Sequence, residues 1–205
     1  MQRRATKLWR RGLALCCLIV WLLPMQGMAL DHTVVRGDTM WKLAVRYQVG
    51  TREIILANPQ IKNPNLIYPG QRLTIPTLGE STSSYEEEVI RLVNEIRAEH
   101  GLARLSVNWE LSRVARYKSQ DMHDLGYFSH TSPTYGSPFE MMRAFGISYR
   151  AAGENIAYGY RTPRAVVEAW MNSPGHRANI LNGAYTQIGV GYVEDGNYCI
   201  QMFIG

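Results

Sequence analysis

Hydrophobic and polar positions along residues 31–76 predict a short strand, two helices and a second strand. A β-rich run at 32–35 precedes a helix over MWKLAVRYQ, for which Asp38 or Thr39 is the expected N-cap. Thr51 is expected to cap the second helix, and a loop rich in Pro, Asn and Gly leads to the strand QRLTIP. The apolar face of the first helix is predicted to comprise Trp41, Leu43, Ala44 and Tyr47.

The pattern changes after position 76. Residues 77–84, TLGESTSS, have the composition of a short linker. Ser84 and Glu87 then fit a capping box for a helix that ends near Gly101. A second amphipathic helix is predicted over NWELSRVARYKSQDMHDLG, with inward positions Leu111, Val114, Ala115 and Met122.

The rest of this larger region, residues 85–205, is predicted to hold two more helices and a closing hairpin. The third helix covers SPFEMMRAFG, and the fourth begins at Thr162, followed by a proline at the first helical position. Two alternating runs flank Asp195-Gly196, which is a strong hairpin signal. Helices followed by strands favour an α+β class with layered packing.

The N-terminus has the pattern of a secretory signal. Residues 1–12 carry five basic residues and no acid, an apolar run extends from Leu13 to Leu23, and small residues precede an expected cut after Ala29. The eleven-residue run is shorter than the roughly 20 residues that span a bilayer as a helix. An uncleaved N-terminal anchor is the alternative.

Removal of this segment changes the charge. It takes away five of the 22 basic residues and none of the 17 acids, so the remaining chain is neutral. A basic net charge is the main argument for a nucleic acid or an anionic membrane as partner, and it no longer applies. Cys199 is the one cysteine after the expected cut, and it is predicted to be a small buried core residue.

Three residues of the larger region have the context of a functional site. His130 and His176 lie in segments rich in Gly, Ser and Pro, and both are expected in loops, where functional residues are common. Glu154 stands in the mostly apolar stretch AAGENIAYG, where a buried carboxylate needs a partner. Such a set can hold a divalent metal or perform acid–base chemistry. Surface or packing roles are expected for the other histidines, His32, His100 and His123.

Residues 31–76 resemble a LysM domain over their whole length. The resemblance rests on GDTMW, LANP and NLIYPGQRLTIP. It implies a βααβ module that binds N-acetylglucosamine polymers such as peptidoglycan or chitin in a shallow groove between two loops. Carried over by position, the expected glycan-binding residues are Gly37, Asp38, Thr39, Met40, Asn65, Leu66, Ile67 and Tyr68.

Residues 85–205 resemble a CAP (SCP-like) domain of the bacterial type. The motifs are NEIRAEHGL, GYFSHTSP, GENIAYG, AVVEAWMNSPGHRANIL and IGVGY. They imply an α-β-α sandwich with a cleft in which His130, Glu154 and His176 take the family's positions. In some members the two histidines bind a divalent cation, often zinc, which makes His130 and His176 the expected metal ligands.

The sequence departs from that family at a fourth position. Where plant and animal members carry an acid three residues after the helix tryptophan, here Trp170, this chain has Ser173. Glu168 lies about 200° from both Val166 and Trp170 on a helix, so a solvated role is expected for it.

The resulting expectation is an exported, wall-associated protein that binds peptidoglycan through LysM and presents a His/Glu/His cleft. The missing acid favours a binding role for that cleft. A metal-assisted hydrolase acting on wall peptide or glycan is the alternative, with Glu154 as general base. A spore-layer assembly protein is a third possibility. No nucleic acid and no stable membrane span after signal cleavage are expected.

Overall fold

The computed structural model describes residues 29–205. The predicted signal peptide therefore lies outside the described residues, except for Ala29, the first residue of strand β1. Within the described residues, no helix combines the length and hydrophobicity needed to cross a membrane.

The small domain has the predicted order of elements. Strands β1 (Ala29–Thr33) and β2 (Arg72–Pro76) pair antiparallel. Helices α1 (Met40–Tyr47) and α2 (Thr51–Ala57) connect them. The side chains of Leu43, Ile54 and Leu73 are fully buried in one small core.

Two details of these helices differ from the prediction. Trp41 is 68% exposed, and the buried face of α1 begins instead at Met40, which lies three and four residues before Leu43 and Ala44. Trp41 is rotated by about 100° from that face. Thr51 is the first residue inside α2, and Gly50 occupies the N-cap without a side-chain bond.

The large domain begins earlier than the sequence indicated. Helix α3 runs over Glu80–Glu99 with Gly79 as its N-cap, so the connection between the domains spans only 77–79. The predicted capping box is wrong because Ser84 lies inside the helix. Glu80 in the first turn favours the earlier start because its negative charge interacts with the helix dipole.

A four-stranded sheet lies at the centre of the large domain. Its order is β3 (Ser106–Val107), β5 (Gln187–Val193), β6 (Tyr198–Ile204) and β4 (Ala152–Ala157). Strand β3 is parallel to β5, and the other pairs are antiparallel. The β5–β6 pair is the predicted hairpin.

Helices cover both faces of this sheet. On one face α4 (Trp109–Leu125) packs on β5 and β6, with α5 (Pro138–Ala144) beside it. Helices α6 (Pro163–Met171) and α7 (Pro174–Ile180) lie with α3 on the other side. The predicted cap Thr162 and the four inward residues predicted on α4 are confirmed, and Ser137 caps α5. Cys199 is a buried free thiol, as predicted.

Helix α4 approaches the sheet very closely. A Cβ atom added at Gly191 of β5 would lie 2.1 Å from the backbone nitrogen of Arg116. One added at Gly189 would lie 2.4 Å from the backbone of Leu111 and Ser112. Only glycine leaves room for the helix backbone at these two positions.

Side chains from two helices cover the free edge of β5 beyond the short strand β3. The backbone N–H of Val190 donates to Ser112 Oγ at 3.1 Å, and that of Tyr192 donates to Glu86 Oε1 at 3.0 Å. The buried Glu86 carboxylate also accepts hydrogen bonds from the Arg116 guanidinium.

Candidate functional site

Backbone pairing brings the two predicted loops of the small domain together. Val34 extends the β1–β2 ladder, because its N–H donates to Gln71 O and its carbonyl accepts from Gly70 N, each at 2.8 Å. The turn after Val34 therefore lies beside the turn that ends at Gly70. Between them these turns carry all eight predicted glycan-binding residues.

On the first turn, the polar side chains stabilise the fold. Asp38 Oδ2 accepts from Val35 N at 2.9 Å and pairs with His32 Nε2 at 2.8 Å, and its side chain is almost fully buried. These hydrogen bonds lower the pKa of Asp38. Thr39 caps α1 by accepting from Lys42 N, while the side chain of Met40 is buried in the core. Of the four glycan-binding residues predicted on this turn, Gly37 and Thr39 are exposed.

The second turn carries exposed side chains. Leu66 and Tyr68 are 50% and 55% exposed, and Asn65 is also exposed. Ile67, between them, packs against the small core. This alternation leaves two large apolar groups facing solvent on a backbone that the core holds in place.

In the large domain, the structure brings Glu154 and His130 into contact. Glu154 lies in the buried strand β4, and its Oε1 atom is 2.7 Å from His130 Nδ1. Oε2 of the same carboxylate is buried without a hydrogen-bond partner. Burial raises the pKa of Glu154, although the hydrogen bond from His130 acts in the opposite direction.

His130 is held by a loop that Asp121 of α4 fixes in place. Asp121 Oδ2 accepts from Tyr127 Oη at 2.5 Å and from Ser132 Oγ at 2.7 Å. Its second oxygen accepts from Thr134 Oγ1 at 2.6 Å. The imidazole of His130 is about half exposed, so His130 connects solvent to the buried carboxylate of Glu154.

Lys118 lies in the interior behind this pair. It is 1% exposed, and its Nζ donates to Tyr127 Oη at 3.0 Å. Burial lowers the pKa of Lys118, and the charges of Glu154 and Asp121 oppose that shift. A positive charge at this position favours ionised Glu154.

His176 lies in helix α7 rather than in the loop that was expected. Pro174 occupies the first turn and starts this helix directly after α6, which is why the segment reads as irregular in sequence. Burial lowers the pKa of His176, and the charge of His130 adds to the effect. Asn155 of β4 donates to the His176 carbonyl at 3.1 Å and ties α7 to the strand that carries Glu154.

Comparison with known proteins agrees with the two-domain organisation. The sequence profile of the cysteine-rich secretory protein family (CAP) matches residues 90–203, more than half of the chain. The chain belongs to this family. A LysM profile matches residues 32–76.

Three individual proteins illustrate the relationship. YkwD of Bacillus subtilis is 58% identical over 132 residues, which are 64% of this chain and 51% of YkwD. An extracellular SCP-domain protein from Bacillus anthracis superposes with a TM-score of 0.59 at 31% identity, over 74% of this chain and 49% of that chain. The secreted LysM effector ECP6 of Passalora fulva is 34% identical over 55 residues, 27% of this chain and 24% of ECP6. The chain thus spans about half the length of YkwD.

The three expected site residues of the CAP domain, His130, Glu154 and His176, do not form a three-ligand metal site in the described structure. Among residues 29–205, no group of three or more His, Cys, Asp or Glu side chains could hold a metal ion. The described residues therefore do not fit a zinc site with three protein ligands. Binding by His130 and His176 alone, with water completing the shell, stays a prediction.

The departure at the fourth family position is visible in the CAP domain. Ser173 is the N-cap of α7 and makes no capping bond with its side chain. Glu168 is exposed on the outer face of α6, as predicted, while Val166 and Trp170 are buried.

Sequence analysis missed the polar residues behind the pair, Lys118, Asp121 and Tyr127. One signal was present. Lys118 lies on the stripe formed by Leu111, Ala115 and Met122, where a charged residue interrupts a buried face. The hydrogen bonds of Asp121 could not be predicted from sequence because they form only when the loop after α4 is folded.

Proposed function

We propose that this protein is exported and binds N-acetylglucosamine-containing peptidoglycan through its LysM domain, while its CAP domain presents the His130–Glu154–His176 cleft to a ligand at the wall. LysM domains bind N-acetylglucosamine-containing glycans, which gives the class of the polymer. We propose in addition that the particular polymer is peptidoglycan and that the protein is located at the cell wall.

The observation that carries the proposal is that the two turns lie side by side. The bonds of Val34 to Gly70 and Gln71 hold the turns side by side. Leu66 and Tyr68 are exposed on the second turn, where both side chains are free to contact a ligand. Apolar side chains can pack on sugar rings while backbone amides meet the acetamido groups.

A pelleting assay tests the glycan-binding step. Purified protein is mixed with insoluble peptidoglycan, and the bound fraction is compared with that of the double variant Leu66→Ala/Tyr68→Ala. Val107→Ala is the matched control because Val107 is an equally exposed apolar residue in the CAP domain. We expect the control to pellet as the wild type does and the double variant to stay in solution. Failure of the wild-type protein to pellet would contradict the proposal.

A second function, hydrolysis of wall material, is favoured by the unpartnered oxygen of Glu154. One carboxylate oxygen is fixed by His130 and the other is free of protein partners. Burial raises the pKa of the Glu154 carboxyl group, which favours a proton-donating role, and His130 connects it to solvent.

Product analysis separates the two functions. Peptidoglycan is incubated with wild-type protein and with Glu154→Gln, and soluble fragments are identified by mass spectrometry. Fragments released by the wild type alone support the hydrolase and identify the bond that is cut. If both proteins pellet and neither releases fragments, hydrolysis of this substrate is contradicted and glycan binding through LysM stands.

A further inference from the structure

Two short segments of the CAP domain expose aromatic rings that contact each other. Phe128 and Tyr158 are 46% and 57% exposed. The centroids of their rings are 4.8 Å apart. The ring of Tyr198 lies nearly parallel to that of Tyr158, with centroids 5.9 Å apart and planes inclined by 25°. We refer to Phe128, Tyr158 and Tyr198 as the aromatic platform.

The backbone holds the platform in place. Tyr158 follows β4 directly, and the register that pairs Ala157 with Cys199 places Tyr158 opposite Tyr198. Gly159, with φ +83°, donates its N–H to the carbonyls of Gly196 and Asn197, which fixes the segment on the hairpin turn. Tyr198 packs against the core on the α4 side of the sheet. Little conformational entropy would therefore be lost when a ligand covers these rings.

The platform is continuous with the His130–Glu154 pair. Phe128 and His130 are two residues apart on one loop, and they contact Tyr158 and Glu154, respectively. Tyr158 and Glu154 are four residues apart on the same face of the sheet, a distance of about 13 Å along a strand. A chain-like ligand on the platform would therefore lead towards the carboxylate.

The surrounding charges limit the class of ligand. His123, which packs edge-on against Tyr198, is paired with Asp124 and Asp195, and the side chain of Asp195 is 87% exposed. Acidic residues beside the rings disfavour an anionic lipid surface or an acidic peptide. Flat aromatic rings with tyrosyl hydroxyl groups suit a neutral ligand that has apolar faces and a polar rim, as a pyranose ring does.

We infer that the aromatic platform is a second carbohydrate-binding surface, and that it takes neutral sugar rings of the same N-acetylglucosamine-containing glycan that the LysM domain binds. The inference rests on the proposed function for the identity of the polymer. It adds a ligand contact in the CAP domain and assigns the direction in which the glycan enters the cleft.

The test requires a protein in which LysM binding is removed. In the Leu66→Ala/Tyr68→Ala background, binding of a β-1,4-linked N-acetylglucosamine hexamer is measured by NMR titration. We expect weak residual binding that Tyr158→Ala and Phe128→Ala each reduce by roughly threefold to tenfold, the loss of one ring contact. Phe139→Ala is the matched control because Phe139 is an exposed aromatic residue on α5, outside the platform, and it should not change binding.

Each other outcome is decisive. If the wild type binds the hexamer and the Leu66→Ala/Tyr68→Ala protein does not bind it at all, the platform is not a glycan site, while the LysM part of the proposed function stands. If the wild type fails to bind hexamer and peptidoglycan alike, the proposed function and this inference both fall. Retained hexamer binding in the platform variants, together with lost binding to phosphatidylglycerol vesicles, would assign the rings to lipid and overturn the inference.

Discussion

Nε of Arg113 in the CAP domain lies 2.6 Å from Oε1 of Glu53 in the LysM domain. Tyr117 Oη donates to the same oxygen at 2.8 Å, and the Arg113 guanidinium lies over the rings of Tyr117 and Phe145. The two charged side chains are each only about one-fifth exposed. The domains are therefore docked through α2 and α4 in addition to being joined by residues 77–79.

Removal of this contact should release the LysM domain from the CAP domain. We expect Arg113→Ala to cost about 1–3 kcal/mol of docking free energy, between the values typical of exposed and buried ion pairs, because it leaves Glu53 without its charged partner. The measurement is small-angle X-ray scattering, combined with protease cleavage at 77–79. The exposed Arg104→Ala is the control. Unchanged dimensions and an unchanged cleavage rate in Arg113→Ala would show that the contact does not hold the domains.

The buried carboxylate of Glu154 should make stability depend on pH. Because its pKa is raised on folding, the folded state binds this proton more tightly than the unfolded state does. The ionised group therefore lowers stability at high pH, and this penalty is absent below the ordinary pKa of 4.5.

Glu154→Gln removes that charge and keeps an oxygen that can accept from His130. We expect its Tm to exceed that of the wild type by about 2–4 °C at pH 7.5, which corresponds to about 1 kcal/mol. The difference should close as the pH falls towards 4. Differential scanning calorimetry across this range is the measurement, and the exposed Glu99→Gln is the control. A lower Tm at pH 7.5, or a difference independent of pH, would contradict the assignment.

Zinc should bind weakly and in competition with protons. His130 and His176 are the two expected ligands, and no group of three or more ligands exists among residues 29–205. Burial lowers the pKa of His176, so its imidazole is neutral at pH 7.5. Titration calorimetry should show an affinity that falls between pH 7.5 and 5.5 and is lost in His176→Ala. His100→Ala, an exposed histidine on the surface, should bind as the wild type does. Binding that survives His176→Ala would point to other ligands.

The close approach of α4 to the sheet should make Gly191 intolerant of substitution. A methyl group there meets helix backbone at 2.1 Å, and neither element can shift without losing core contacts. We expect Gly191→Ala to cost about 3 kcal/mol or more in urea unfolding, the upper range for overpacking. Gly175→Ala in α7 is the matched control, because a Cβ atom there meets nothing within 4 Å. Equal stability of the two variants would show that α4 can move away.

Local patterns predicted most of the elements because they depend on neighbouring residues. The α4 stripe, the Thr162 cap and the hairpin at Asp195-Gly196 each follow from residues within one or two turns. Errors occurred where the deciding contact is distant or the signal is weak. Ser84 has a good capping sequence, but the helix extends past it to Gly79.

In the candidate sites, too, residue identity could be predicted from sequence, whereas contacts between distant residues could not. The family resemblance singled out His130 and Glu154, and their contact depends on a loop that folds back over 24 residues onto β4. The inward direction of Asp38 could not be read from sequence because Asp38 bonds His32 across the strand-to-helix turn. Asp38 on the LysM turn thus stabilises the fold, whereas Leu66 and Tyr68 stay exposed.

The covered edge of β5 has a consequence for aggregation at high local protein concentration. A strand with free N–H groups at its border invites pairing with the same strand in another molecule, which is a route to aggregates. Here Ser112 and Glu86 accept hydrogen bonds from two of those N–H groups. Both side chains are buried, so their removal from the strand would disrupt the core. A repeating polymer would hold many copies of this protein side by side, and each copy would then meet its neighbours without a sheet edge at Val190 and Tyr192 on which to polymerise.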